Sequence, residues 1–346
     1  MDPVDLPATS HSPERGSSAL PRTIPAVVRH EYGGPSVARV EQIARPEPGA
    51  GEVLLAVEAA GLDRAVLHLT TGLPSLMRLV FGMRRPRDPG LGGEVAGRVV
   101  ALGAGVTGLT IGDRVAGTAK GSFAAYALAH PKHLAPIPDG VSSIDASAVG
   151  VSGVTAWEAV VEQGKVAAGQ GVLVLGASGG VGSFAVQLAH QAGATVTAVC
   201  RGAKAAYVRE LGADAVVDYE STGLAGFGGP FDVIIDIAGN NPVSALRRCL
   251  APGGRLVIVG GEGGGRLLGG IERNLLATMA GWFTAKDLGW MFSSTTTARC
   301  AEVARLITEG AVTPVIDRTV DLDGAADAIA AMASGHLRGH AVLEMQ

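Results

Sequence analysis

The chain has 346 residues, 47% of them apolar, with a formal net charge of −4. That length is too great for one ordinary domain and holds two, each with a sizeable core. With no block of like charges, nothing in the balance suggests a nucleic-acid or other polyanion partner or an electrostatic membrane contact. The cysteines are Cys200, Cys249 and Cys300. Three thiols spread so widely make neither a disulfide framework nor a thiolate zinc cluster, and they fit a reducing, cytoplasmic compartment.

Residues 1–24 open with Pro, Ser and charge and carry no apolar signal core, so a disordered tail is expected there. Residues 25–150 read as β-rich. Val-rich runs such as Glu52–Val57 and Val95–Val100 are separated by turn signals at Gly33-Gly34-Pro35, Pro46–Gly49 and Gly112-Asp113. A compact, barrel-like domain is expected. From about Val151 the period changes. Val172–Leu175 is a short continuous apolar run, as a strand covered on both faces requires. Helix Val181–Gln191, strand Thr195–Val199, helix Lys204–Leu211, strand Ala215–Asp218, strand Phe231–Asp236, helix Pro242–Leu250 and strand Arg255–Val259 follow. Strands alternating with helices predict an α/β architecture with a parallel sheet, over residues 151–315. A helix over Ala298–Gly310 and a β-like segment over 316–346 with one helix at Ala325–Ala333 complete the chain. The last segment is expected to return to the first domain. The longest apolar stretch, Gly171–Ala189, is glycine-rich in its middle and reads as strand plus helix, so no membrane insertion is expected.

The sharpest local signal is Gly176-Ala177-Ser178-Gly179-Gly180-Val181-Gly182, directly after one predicted strand and opening a helix. Glycines permit the tight turn and let backbone approach a pyrophosphate. The helix start then offers unpaired N–H groups and partial positive charge. Ser178, Gly179, Gly180 and Val181 are therefore candidate dinucleotide contacts; a turn used only for close packing is the bland alternative. The second strand runs into Val199-Cys200-Arg201-Gly202-Ala203-Lys204, with no acid to hold ribose hydroxyls. Arg201 and Lys204 suit a 2′-phosphate, which favours NADPH over NADH.

With these motifs the chain resembles the medium-chain dehydrogenase/reductase superfamily, closest to its zinc-free quinone oxidoreductase branch and to bacterial NAD(P)-dependent alcohol dehydrogenase-like proteins. Further marks are Gly49–Leu54, Gly92–Gly97, Val99–Gly103, Gly112–Val115 and Leu211–Asp214. The resemblance implies a GroES-like β domain, a Rossmann doubly wound sheet, a cleft between them and a homodimer through the edge of the Rossmann sheet. It also implies that Tyr219 lies near the 2′-phosphate, that Thr155 lies near the nicotinamide, and that Val259 and Gly260 run beside the nicotinamide amide. Zinc-dependent relatives use Cys, His-Glu, and Cys or an acid. Here Asp63, Gly93-Glu94 and Val149-Gly150 stand at those places, a poor donor set for zinc. No metal is expected, and Glu94 reads as a structural residue at the domain interface.

The segment Asp63–Gly72 matches the branch's cleft-lining loop, with Asp63 and His68 at its usual Asn and Tyr. Both keep a polar group for a substrate, and either also has a local reading, as a cap or as a backbone-satisfied histidine. His130, His133, His190, His336 and His340 read as surface or structural. Leu73–Pro89 is an insertion-like loop mixing apolar residues with Arg84, Arg85 and Arg87, expected to be a lid over an apolar substrate or a contact for lipid or another subunit. Without a metal, negative charge building on an acceptor oxygen needs conjugation or hydrogen bonds. An NADPH-dependent reduction of a small apolar or conjugated substrate, an enone, enal or quinone, is the first expectation. A zinc-free carbonyl reductase or alcohol dehydrogenase and a low-turnover NADPH-binding sensor or partner protein are the alternatives.

Overall fold

The computed structural model describes residues 20–261, 265–270 and 287–345. The expected tail over 1–24 lies mostly outside them. Strand β1 (Thr23–Val28) pairs antiparallel with β2 (Arg39–Ala44), and β3 (Val53–Gly61) follows. Helix α1 (Arg64–Thr71) and a short α2 (Arg78–Phe81) come next, where the sequence reading had loops. Asp63 explains the first. Its carboxylate accepts hydrogen bonds from the Ala65 and Val66 amides at 2.7 and 3.3 Å, and Gly72 closes the helix in the left-handed region.

Strands β4 (Glu94–Leu102), β5 (Arg114–Thr118), β6 (Tyr126–Ala129) and β7 (Leu134–Pro136) fill out the first lobe. After α3 (Ser143–Ala146) the chain crosses to the second lobe through α4 (Val154–Trp157), flanked by wider π-helical turns at Val149–Gly153 and Glu158–Gln163. The sequence reading had no helix here. Two glycines, Gly150 and Gly153, and a nearly all-buried face leave no polar stripe to reveal its period.

The second lobe then alternates β8 (Gly171–Leu175), α5 (Gly180–Gln191), β9 (Thr195–Cys200), α6 (Ala205–Glu210), β10 (Ala215–Asp218), β11 (Phe231–Asp236), α7 (Val243–Cys249), β12 (Leu250–Ile258) and β13 (Asp287–Trp290). The six strands are all parallel, in the order β10-β9-β8-β11-β12-β13. This is the doubly wound order whose direction reverses beside the first strand, at β8 and β11. Val172, Leu173, Val174 and Leu175 are fully buried because apolar clusters cover both faces: Phe184 and Val186 of α5 on one side, Leu246 and Phe227 on the other.

Helix Thr297–Thr308 packs beside α4, and the chain ends with β14 (Ile316–Val320), helix Ala325–Ala333 and β15 (His340–Glu344). β15 lies between β14 and β3, so the last residues are an interior strand of the first lobe's sheet. That lobe's core gathers Val53, Leu55, Val95, Val115 and Phe123 with Ile329, Leu337 and Leu343.

Candidate active site

The glycine-rich turn sits at the carboxyl end of β8, where the strand order reverses. Gly176 is at φ +82°, and a Cβ on Gly182 would lie 2.1 Å from the Gly176 carbonyl oxygen, so the helix can start this close to the strand only with glycine there. No side chain caps α5, and Gly179 occupies the cap position in extended backbone. The helix therefore presents its opening amides and the positive end of its dipole to an anion.

Sequence reading brought Arg201, Lys204 and Tyr219 to one place, and the structure divides them. Arg201 accepts no acid from its own strand, yet the turn after β10 supplies one: Glu220 lies 3.0 Å from its Nε. Tyr219 and Glu220 beside it raise the already high pKa of Arg201. Lys204 is buried, and its ammonium donates to the carbonyls of Gly335 (2.8 Å) and Leu337. Burial and the neighbouring Arg201 hold its pKa below the usual lysine value. The C-terminal segment also reaches the turn itself. The Gly339 amide donates to Ser178 O at 2.9 Å, and Gly180 is packed so close to His340 that a Cβ would meet its Nε2 at 2.7 Å. His340 is 1% exposed, neither ring nitrogen has a well-formed hydrogen bond among the described residues, and desolvation lowers its pKa to about 4 against a weaker pull from the Val315 backbone. It is not a surface histidine, and only a three-dimensional contact between chain end and turn could have revealed its place.

Thr155 is buried on α4, which packs against α5. Val259 and Gly260 leave β12 with both amides donating to Asp236 O, at 3.0 and 3.2 Å. A Cβ on Gly260 would lie 2.0 Å from Ile237 O, so this turn, too, is packed to the limit of its backbone.

At the lobe junction two carboxyl groups are buried together. Glu94 is fully buried and accepts from the Val151 and Ser152 amides at 2.9 and 2.7 Å. Asp63, 5% exposed, spends Oδ1 on the α1 amides and turns Oδ2 toward Gly93, whose would-be Cβ lies 3.5 Å away. Burial raises both pKa values. The Asp63 charge pushes Glu94 up further, whereas the α1 amides and His68 pull Asp63 back. His68 stands in the last turn of α1. Its Nδ1 is 2.9 Å from Leu73 O, an acceptor only, so Nδ1 carries the hydrogen. These residues do not fit a zinc ion: Gly93 has no donor, and both carboxylates are already held by backbone amides. Among the described residues no three ligating side chains converge.

Residues 211–343 match the zinc-binding dehydrogenase family, and residues 49–139 match the alcohol dehydrogenase GroES-like domain. The chain is 30% identical over 334 residues to the chloroplast envelope quinone oxidoreductase homolog of Arabidopsis thaliana, covering 92% of this chain and 98% of the relative. It is 30% identical over 318 residues to the trans-enoyl reductase pgmF of Aspergillus terreus, covering 86% and 87%. Among solved structures, mycobacterial Rv1454c complexed with NADPH is 27% identical with a TM-score of 0.77, over 93% of this chain and 100% of that one. The quinone oxidoreductase from Coxiella burnetii, at 24% identity and a TM-score of 0.81 over 94% and 100%, shares the fold. The chain belongs to the medium-chain dehydrogenase/reductase superfamily, in its quinone oxidoreductase-like branch.

Proposed function

We propose that the protein is an NADPH-dependent oxidoreductase that reduces an activated double bond or a quinone without a metal. The observation that carries this is an uncapped glycine-rich helix start in the second lobe of a chain whose lobe junction buries the Asp63–Glu94 pair. The relatives named for quinone and trans-enoyl reduction, and the NADPH complex of a structural neighbour, support it.

The Ser178–Val181 turn would hold the pyrophosphate. Arg201, with Tyr219 beside it, would hold the 2′-phosphate once Glu220 gives way, and Lys204 adds positive charge from beneath. Thr155, Val259 and Gly260 would bound the nicotinamide. NADPH bound there supplies a hydride. Asp63 and His68 face the acceptor end. Burial keeps Asp63 proton-bearing closer to neutral pH than an ordinary carboxyl, so it can deliver the proton that balances the hydride, and His68 can orient the acceptor oxygen. The division into a substrate lobe (25–150 with 316–346) and a coenzyme lobe (151–315) is part of this reading.

NADPH oxidation with an enone, a quinone, an aldehyde and, in reverse with NADP⁺, a secondary alcohol tests it. Turnover of the first two supports the proposal. Turnover of the last two alone favours a carbonyl reductase, and tight NADPH binding without turnover favours a sensor or partner protein. A homodimer is the companion proposal. β13 ends the described order of the parallel sheet and closes on exposed Trp290, which stacks edge to face at 5.2 Å on exposed Phe292 just beyond it. A single-chain mass in solution would refute it. A cytoplasmic location is proposed from the free thiols of Cys200, Cys249 and Cys300. No described helix is long and apolar enough to cross a membrane.

A further inference from the structure

The loop after α1 departs from the rest of the surface in both hydropathy and charge. Leu79, Val80, Phe81 and Met83 are exposed, Val80 and Met83 by 66% and 61%, and Leu76 joins them one turn earlier. Arg84, Arg85 and Arg87 follow at once and are exposed. From Leu73 to Arg87 the sequence has four arginines and no acid, although the whole chain carries −4. Among the described residues neither Arg84 nor Arg85 meets an acidic partner.

The apolar side chains are held outward by the polar framework beneath them. The Tyr32 hydroxyl donates to Gly82 O at 2.8 Å, and Arg78 lies 4.5 Å over the Tyr32 ring while its Nε donates to Gly72 O. The Arg87 amide and guanidinium donate to Phe81 O and Val80 O, at 2.8 and 3.0 Å. Tyr32 and Arg78 thus anchor the loop from beneath, and its apolar side chains face outward beside the exposed arginines. The patch also crosses to the coenzyme lobe: the Ser75 and Leu76 amides donate to Arg266 O and Leu267 O, and Arg266 and Leu267 are themselves exposed.

We propose that this loop is a peripheral docking surface for an anionic phospholipid bilayer. Apolar residues at the tip enter the headgroup boundary while the flanking arginines meet lipid phosphates. The charge pattern selects this occupant. A symmetric pair of copies would set each patch against itself and bring Arg84, Arg85 and Arg87 together, which like-charge repulsion opposes. An anionic surface neutralises them instead. The net negative charge elsewhere keeps other faces off the same membrane and so orients the molecule. The balanced overall charge conceals this local attraction. On the reductase reading, and on that alone, an apolar acceptor would enter from lipid past this loop, which follows the α1 helix that carries His68.

Flotation of the full chain with vesicles of phosphatidylcholine, and of phosphatidylcholine mixed with phosphatidylglycerol, tests the proposal. The protein is expected to float with the anionic vesicles only, less so as salt is raised. Arg84→Gln with Arg85→Gln is expected to weaken partitioning by about thirtyfold, roughly fivefold per arginine. Val80→Ser with Met83→Ser is expected to abolish flotation. All four side chains are exposed, so the melting temperature should not move. The proposal is overturned if wild type ignores anionic vesicles, if both variants float as wild type does, or if either variant changes the particle mass on a sizing column, which would make the patch a contact between copies. NADPH oxidation with a water-soluble quinone is followed in the same samples. Its absence in wild type would sink the reductase reading and leave the lipid result standing.

Discussion

Two seams join the lobes, and they solve the same problem with opposite charge. At one, the Glu94 carboxylate from the first lobe rests on the Val151 and Ser152 amides of the second. At the other, the Lys204 ammonium from the second lobe rests on the Gly335 and Leu337 carbonyls of the returning chain, beside the unpartnered ring of His340. Neither buried charge has a counter-ion as its direct partner; backbone dipoles stand in. Dipoles compensate desolvation only in part, so the carboxyl seam is pushed toward protonation and the basic seam away from it. The two seams therefore respond to pH in opposite directions, the carboxyl seam holding its protons longer and the basic seam giving them up sooner.

The largest test of this asymmetry is Asp63→Asn. The amide oxygen still caps α1, so the fold is kept while the transferable proton is lost. A fall in kcat of about a hundredfold or more, with NADPH binding retained, is expected; unchanged turnover would make Asp63 a cap only. Next comes Arg201→Ala with Lys204→Ala. NADPH affinity measured by fluorescence should drop about ten- to a hundredfold while NADH changes little. Equal losses would remove the 2′-phosphate assignment.

The pH dependence of stability sharpens the contrast. Glu94 and Asp63 have folded pKa values above the unfolded carboxyl range, so the unfolded chain binds fewer protons and stability falls as pH rises from about 4 toward the raised values. Glu94→Gln keeps an acceptor for both amides and should flatten that fall in melting temperature. His340 has the reverse sign. Its folded pKa of about 4 lies below the unfolded value near 6.5, so its neutral form costs stability as pH drops through that window. The smallest effect is expected for His340→Leu, which should raise the melting temperature slightly at pH 5 and hardly at pH 8, because an unpaired buried polar ring is removed. A loss of stability at both pH values would mean that the ring is held by more than packing.

Sequence made the parallel sheet legible because its strands are continuous apolar runs with punctuating glycines. Ala215–Asp218 and Phe231–Asp236 match residue for residue. It left α4 invisible, since a helix buried on nearly every side has no amphipathic period, and it read α1 as loop because eight residues are too few for a period to stand out, although Asp63 was legible as a cap. β13 escaped as a short edge strand with glycine at its centre. In the site, the glycine turn was legible as a local pattern. Glu94's link to Val151 and Ser152 was only partly so, and the Lys204 and His340 contacts not at all. They join residues over a hundred positions apart, and nothing local encodes such a meeting.

The position of β15 ties the stability of the two lobes together. The strand lies between β14 and β3 in the first lobe's sheet, and Gly339, just before it, donates to Ser178 O in the glycine-rich turn. One short segment thus completes the sheet of one lobe and backs the turn of the other, so loosening it disturbs both halves at once.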